Sequence, residues 1–144
     1  MKDQPQSAPP SATSSPGRAR VLIADDDPDI REALRLLLED VGYAVAEADD
    51  GITTLAFLHA TQEECVVLLD LVMPRVDGME VVRAIAADAV LRSRAHIVVC
   101  TARTRVMSDD EAQLLDELGA GMIRKPFDLD DVLSAVGIAL GRSL

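Results

Sequence analysis

Asp25, Asp26, Asp27, Asp70, Thr101 and Lys125 are the residues whose types could do joint chemistry, and each follows a short apolar run. VLIA (21–24) leads into consecutive aspartates and VVLL (66–69) into Asp70. IVVC (97–100) leads into Thr101, and the weaker MI (122–123), one residue on, into Lys125-Pro126. Clustered carboxylates repel one another unless a cation neutralises them. An oxygen-rich set with few side-chain ligands suits Mg²⁺, which keeps several waters and often bridges to phosphate. A carboxylate can also attack phosphorus and form an acyl phosphate. A metal and an ammonium can then hold the non-bridging oxygens as charge moves to the leaving group. A neighbouring hydroxyl could hydrogen-bond one of those oxygens. This set of groups makes sense as a phosphoryl-transfer site with a carboxylate acceptor.

Such chemistry requires elements that bring distant residues together. Short unbroken apolar runs separated by helix-like stretches read as buried strands of a parallel sheet. All carboxyl ends of such strands lie on one edge, where open α/β folds bind ligands. Ile30, Ala33, Leu34, Leu37, Leu38 and Val41 fall at helical spacing, with Gly42 as a stop. Residues 43–48 read as a second strand, and Asp49-Asp50-Gly51 as a turn into a helix over 52–61. Asp77-Gly78 turns into a helix marked by Met79, Val82 and Ile85. A further helix carries Leu114, Leu115 and Leu118 and stops at Gly119. Asp128 stands as N-cap of the last helix, whose face is Leu129, Val132, Leu133, Val136 and Leu140. Five βα units are expected, with no repeat and no second domain. Residues 1–18, rich in Pro, Ser and Ala, read as a disordered tail before a domain over 19–144.

Each chemical residue has a bland alternative. Asp26 or Asp27 could cap the helix that starts at Pro28. Thr101 could cap the next segment, and Lys125 could be a surface lysine. Taken jointly, the bland readings leave unexplained why all of them stand at strand ends on one edge. Cys65 and Cys100 lie in apolar runs and read as small buried hydrophobes. His59 and His96 have no metal-spaced partner and read as surface or boundary residues. A formal net charge of −11 argues against non-specific nucleic-acid binding. No apolar run is long enough for a bilayer, and the amino terminus lacks a signal-peptide layout, so a cytoplasmic protein is expected.

VLIADDDPDIR, VVLLDLVMPRVDGME, IVVCTAR and RKPFDLDDVL together resemble the receiver domains of two-component response regulators, over about residues 20–141. The resemblance implies a flavodoxin-like (βα)₅ fold with a doubly wound parallel sheet of order 2-1-3-4-5. It implies Asp70 as phosphoacceptor, Asp26 as a direct Mg²⁺ ligand and Asp25 as its partner acting mainly through water. The backbone carbonyl of Val72 completes the implied metal set. Thr101 resembles the switch hydroxyl and Lys125 the lysine that pairs with the phosphoryl group. A cis Lys125-Pro126 bond is implied as well, with Asp27 a helix-start residue.

Met122 departs from the family, since an aromatic usually stands three residues before the lysine. The expectation is an altered switch in which Met122 fills the cavity that Thr101 vacates. Arg103 and Arg105 follow Thr101 in a stretch longer than usual; they could hold phosphate or simply be solvated. Val72 is apolar where a polar residue could orient an attacking water, so slow self-hydrolysis is expected.

The leading reading is a signalling switch, not an enzyme with separate substrate turnover. A histidine kinase or phosphotransfer protein would phosphorylate Asp70, and a changed surface would be read by an output protein or a relay. With the sequence ending soon after the last helix, a stand-alone receiver is expected, either a monomer or a phosphorylation-dependent dimer. A haloacid-dehalogenase-like phosphatase is the alternative of another class. It fits poorly, because the Asp25–Asp27 run continues into Pro28 without the usual Thr. A vestigial receiver acting as a constitutive interaction module is the third reading, with only Met122 in its favour.

Overall fold

A computed structural model describes residues 19–102 and 106–141. The tail reading of 1–18 and the two arginines Arg103 and Arg105 lie outside the described residues. Five parallel strands form one sheet in the order β2-β1-β3-β4-β5. They are β1 (Arg20–Ala24), β2 (Ala44–Ala48), β3 (Cys65–Asp70), β4 (Ala95–Ala102) and β5 (Gly121–Lys125). The helices are α1 (Pro28–Val41), α2 (Gly51–Ala60), α3 (Gly78–Ala87), α4 (Ala89–Arg94), α5 (Asp109–Glu117) and α6 (Leu129–Ala139).

The apolar runs form strands because they are covered on both faces. Val67 and Leu69 of β3 pack into a cluster with Leu58, Met79, Ile85 and Leu115 of the helices on one side. Val66 and Leu68 pack into a second cluster with Leu34, Leu38, Val132 and Val136 on the other. Every residue of β3 is buried, which is why its sequence is a continuous apolar run and not an alternating one. Each such Val or Leu contributes roughly 1.5–3 kcal/mol relative to exposure. Among the described residues, no helix is long and apolar enough to cross a membrane.

Local signals behave as their chemistry dictates. Asp27 caps α1, accepting from the Asp29 and Ile30 amides, and Gly42 ends it at φ 108°. Gly119 follows α5 at φ 66°. One expectation needs correction. A second helix, α4, stands between β3 and β4, so the expected single helix there is two. Asp88 breaks the chain with an extended backbone, and its carboxylate accepts from the Val90 and Leu91 amides to start α4. Asp128 occupies the N-cap position of α6, but its side chain makes no capping bond. Its carbonyl takes the Asp131 amide instead, at 3.0 Å.

Candidate functional site

The sheet register determines what meets at the carboxyl edge. Asp70 ends β3 opposite Cys100 of β4, and Lys125 ends β5 opposite Ala102. Asp25 follows β1 directly and is tied to β2 by its amide, which donates to the Ala48 carbonyl at 3.1 Å. Arg31 of α1 donates to the Asp25 carbonyl at 2.8 Å and pairs with Glu47, so the β1–α1 turn is held from the helix side as well.

Lys125 reaches past β4 to the acidic groups. Its Nζ lies 2.8 Å from Asp25 Oδ2 and 3.4 Å from Asp70 Oδ2. The remaining oxygens take backbone donors: Asp27 N–H binds Asp25 Oδ1 at 2.9 Å, and Val72 N–H binds Asp70 Oδ1 at 3.0 Å. Asp25 and Asp70 are buried while Asp26 is exposed. One oxygen from each of Asp25, Asp26 and Asp70 falls within 4.8 Å of the others. This is an all-oxygen, negatively charged donor set with one side open to solvent, so the residues fit a hard divalent cation.

Burial raises the Asp70 carboxyl above the ordinary aspartate value, and the nearby Asp25 charge adds to it. The Val72 amide and Lys125 oppose that rise without cancelling it. For Lys125 burial alone would lower the ammonium, but the hydrogen bond to Asp25 and the charges of Asp25 and Asp70 together outweigh it and raise the group. The edge is thus a site with more buried negative charge than one ammonium offsets.

Thr101 is buried on β4, and its hydroxyl finds no hydrogen-bond partner among the described residues. A buried hydroxyl left so costs about 1–3 kcal/mol. Met122 is 43% exposed on the outer strand β5, opposite Val99. Val72 is exposed. The Lys125-Pro126 bond is cis. Cys65 and Cys100 are free and buried, and burial pushes both thiols up to about 12, as expected of inert core residues. His59 is exposed at the end of α2, and His96 opens β4 at the opposite edge, paired with Glu64.

The loop after Asp70 packs closely against the strand it leaves. A Cβ at Gly78 would lie 2.5 Å from both the Asp70 carbonyl oxygen and the Leu71 Cα. Both are backbone atoms, so Gly78→Ala is expected to lower stability by about 2–3 kcal/mol. Urea denaturation measures this; an unchanged midpoint would mean that the loop shifts freely.

The profile of the response regulator receiver domain matches residues 21–137. The chain belongs to this family. Response regulator MprA from Mycobacterium sp. (strain KMS) is 36% identical over 124 residues, which is 86% of this chain and 51% of that protein. MprA from Mycobacterium avium (strain 104) is 35% identical over the same length, 86% of this chain and 52% of that protein. The receiver chain thus spans about half the length of the curated relatives it matches. A CheY-like receiver domain protein from Methanospirillum hungatei JF-1 superimposes with TM-score 0.72 at 30% identity, covering 86% of this chain and 98% of that one. The chemotaxis response regulator CheY4 of Vibrio cholerae gives the same TM-score and identity, covering 85% and 98%. Receiver membership agrees with the strand order and with the acidic edge, and nothing in the comparisons favours the phosphatase or the vestigial reading.

Proposed function

We propose that this receiver is a phosphorylation-controlled switch whose acceptor is Asp70. The donor is a phosphohistidine of a histidine kinase or phosphotransfer protein, or a small acyl phosphate. An Asp70 carboxylate oxygen attacks phosphorus, the bond from phosphorus to the donor breaks, and the leaving group carries away the electron pair. The observation that carries this reading is the convergence of Asp25, Asp26, Asp70 and Lys125 on one open edge.

Asp25, Asp26, Asp70 and the Val72 carbonyl would hold Mg²⁺, which when bound supplies positive charge to the phosphoryl oxygens. The chain's own groups do the rest. The Val72 amide on Oδ1 fixes the Asp70 carboxyl plane, and Lys125 stands at Oδ2 ready to follow a phosphoryl oxygen. The unpartnered Thr101 hydroxyl can turn to another such oxygen. Movement of Thr101 would be felt along β4 and β5, where half-exposed Met122 is free to repack. The face formed by α5, β5 and α6 would then change affinity for an output partner in the cytoplasm.

Intact mass after incubation with Mg²⁺ and acetyl phosphate tests the proposal. One phosphoryl group is expected on the parent and none on Asp70→Ala; equal uptake by both, or none by either, would sink it. After donor removal the label is expected to decay slowly, because exposed Val72 has no polar group to orient a water. Loss of the label as fast as in mixing would contradict that.

A further inference from the structure

Between Asp70 and α3 the chain makes a loop, residues 71–78, that is fastened at several points. Leu71 and Met73 are buried in the core. Gly78 donates to the Leu71 carbonyl at 3.0 Å. Val72 orients Asp70. On the far side the loop meets the amino end of α2, where a Cβ at Gly51 would overlap the Val76 carbonyl. Asp50, the N-cap of α2, is buried, and its carboxylate has two separate tasks. Oδ1 accepts the Thr53 amide at 2.7 Å. Oδ2 accepts Arg75 Nε at 2.9 Å and lies 2.6 Å from a second guanidinium nitrogen.

Arg75 is the one non-glycine residue with positive φ among the described residues, at 68°. A non-glycine residue held there is strained, because its Cβ crowds the following carbonyl oxygen. An arginine at such a position needs something outside the loop to hold it, and Asp50 supplies it through a fork-like contact. The Thr53 amide holds the Asp50 carboxyl below the ordinary aspartate value, against the effect of burial and with help from Arg75, so the pair stays charged.

We propose that the Arg75–Asp50 pair is a positioning clamp for the cation site. It rests on the Mg²⁺ reading above and adds to it residues that touch neither metal nor phosphate. Lys125 reaches the acidic edge from the β5 side, and the clamp secures the β3–α3 loop from the β2 side. Asp25 is itself tied to β2 through Ala48, so the clamp closes a ring. That ring runs from Asp25 through Ala48, Asp50, Arg75 and Val72 to Asp70. Fixing the loop fixes both the Asp70 carboxyl plane and the Val72 carbonyl before a cation arrives, which reduces the ordering that binding would otherwise require.

Four variants of the full chain test this. Arg75→Gly removes the guanidinium and relaxes the left-handed backbone. Asp50→Asn keeps a good N-cap acceptor but loses the charge. The third combines both. Mg²⁺ affinity is read by calorimetry, amide exchange at Val72 and Gly78 in Mg²⁺-free buffer, and overall stability by urea. Each single variant is expected to weaken Mg²⁺ binding about threefold and to speed Val72 exchange, the size of effect a pair with one exposed partner gives. The double variant should be no worse than either single one. Arg75→Lys, which keeps the charge without the fork, should restore part of the affinity. Arg75→Gly should be no less stable to urea, which separates loss of positioning from loss of folding. Unchanged affinity and exchange in both single variants, or fully additive losses in the double one, would overturn the clamp alone. Failure of the parent itself to bind Mg²⁺ would overturn the metal reading and the clamp with it.

Discussion

Asp70→Asn is expected to take up no phosphoryl group, a loss of at least about a hundredfold, and yet to resist urea better than the parent in Mg²⁺-free buffer. The loss follows because an amide oxygen is a poor nucleophile and, among the described residues, no other carboxylate makes both the Val72 and the Lys125 contact. The gain follows from the raised Asp70 pKa, whose main cause is burial and whose second contribution against ionisation is Asp25. A carboxyl with a higher pKa folded than unfolded loses stability as pH rises through that range. Above that range the folded parent carries an ionised group that it would hold more easily protonated. Asparagine keeps the shape and an acceptor for the Val72 amide but has no charge to bury. An increase of about 1 kcal/mol at pH 7 is the expected scale. The difference should shrink toward zero as pH falls below the ordinary aspartate value, where Asp70 is protonated in both states. It should shrink also with added Mg²⁺, which stabilises the parent by binding its folded form. Urea curves from below the ordinary aspartate value up to neutral pH, with and without Mg²⁺, decide it. A variant less stable than the parent throughout would mean that Lys125 and Val72 more than offset the burial of charge.

The same site shows how far a sequence carries. The strand-end residues were legible because a fully buried strand leaves a continuous apolar run, and the first polar residue after it must be at the sheet edge. That logic located Asp25, Asp70 and Thr101 without any contact being known; Lys125 stands one residue further on, after Arg124 of a weaker apolar run, and parallel order brought all four together. Asp27 was legible as a cap because Pro28 stands at the first helical position.

What was not legible depends on shape between elements. Helix α4 has too few residues for a helical period to emerge, and only the Asp88 cap and buried Leu91 mark it. Asp50 read as a turn residue, and its pairing with Arg75 depends on how the β3–α3 loop folds back over α2. Arg75 is the one Lys or Arg outside helices and strands among the described residues; nothing in its neighbours signals a left-handed backbone, for which glycine or asparagine would be the ordinary sign. Arg31 likewise reads as a helix-surface residue until its contact with the Asp25 carbonyl is seen. Asp128 had the right type and place for a capping bond, but the carbonyl does the capping instead.

Lys125→Met is expected to lower both stability and uptake, so that only its effect on stability is opposite to that of Asp70→Asn. Methionine keeps the length of the stem but leaves Asp25 and Asp70 facing one another with no cation between them. Breaking a buried pair from one side costs about 3–5 kcal/mol. Lys125 is only partly buried, so about 1–3 kcal/mol is expected at pH 7 without Mg²⁺. Because its pKa is raised in the fold, the lysine's contribution is complete below the ordinary lysine value and lost as pH rises through the higher folded one. The gap between parent and variant should hold from neutral pH to about 10 and close above that. Mg²⁺ should restore much of the variant's stability, since a dication can offset the same carboxylates. Uptake from acetyl phosphate should still fall by about ten- to a hundredfold even in saturating Mg²⁺, because the ammonium at Asp70 Oδ2 is the group placed to follow a phosphoryl oxygen. That separation is the decisive feature. If Mg²⁺ restored both stability and uptake fully, Lys125 would be a counterion for the acidic edge and nothing more. If stability returned while uptake stayed low, the ammonium would have its own part in phosphoryl transfer, distinct from holding the carboxylates together.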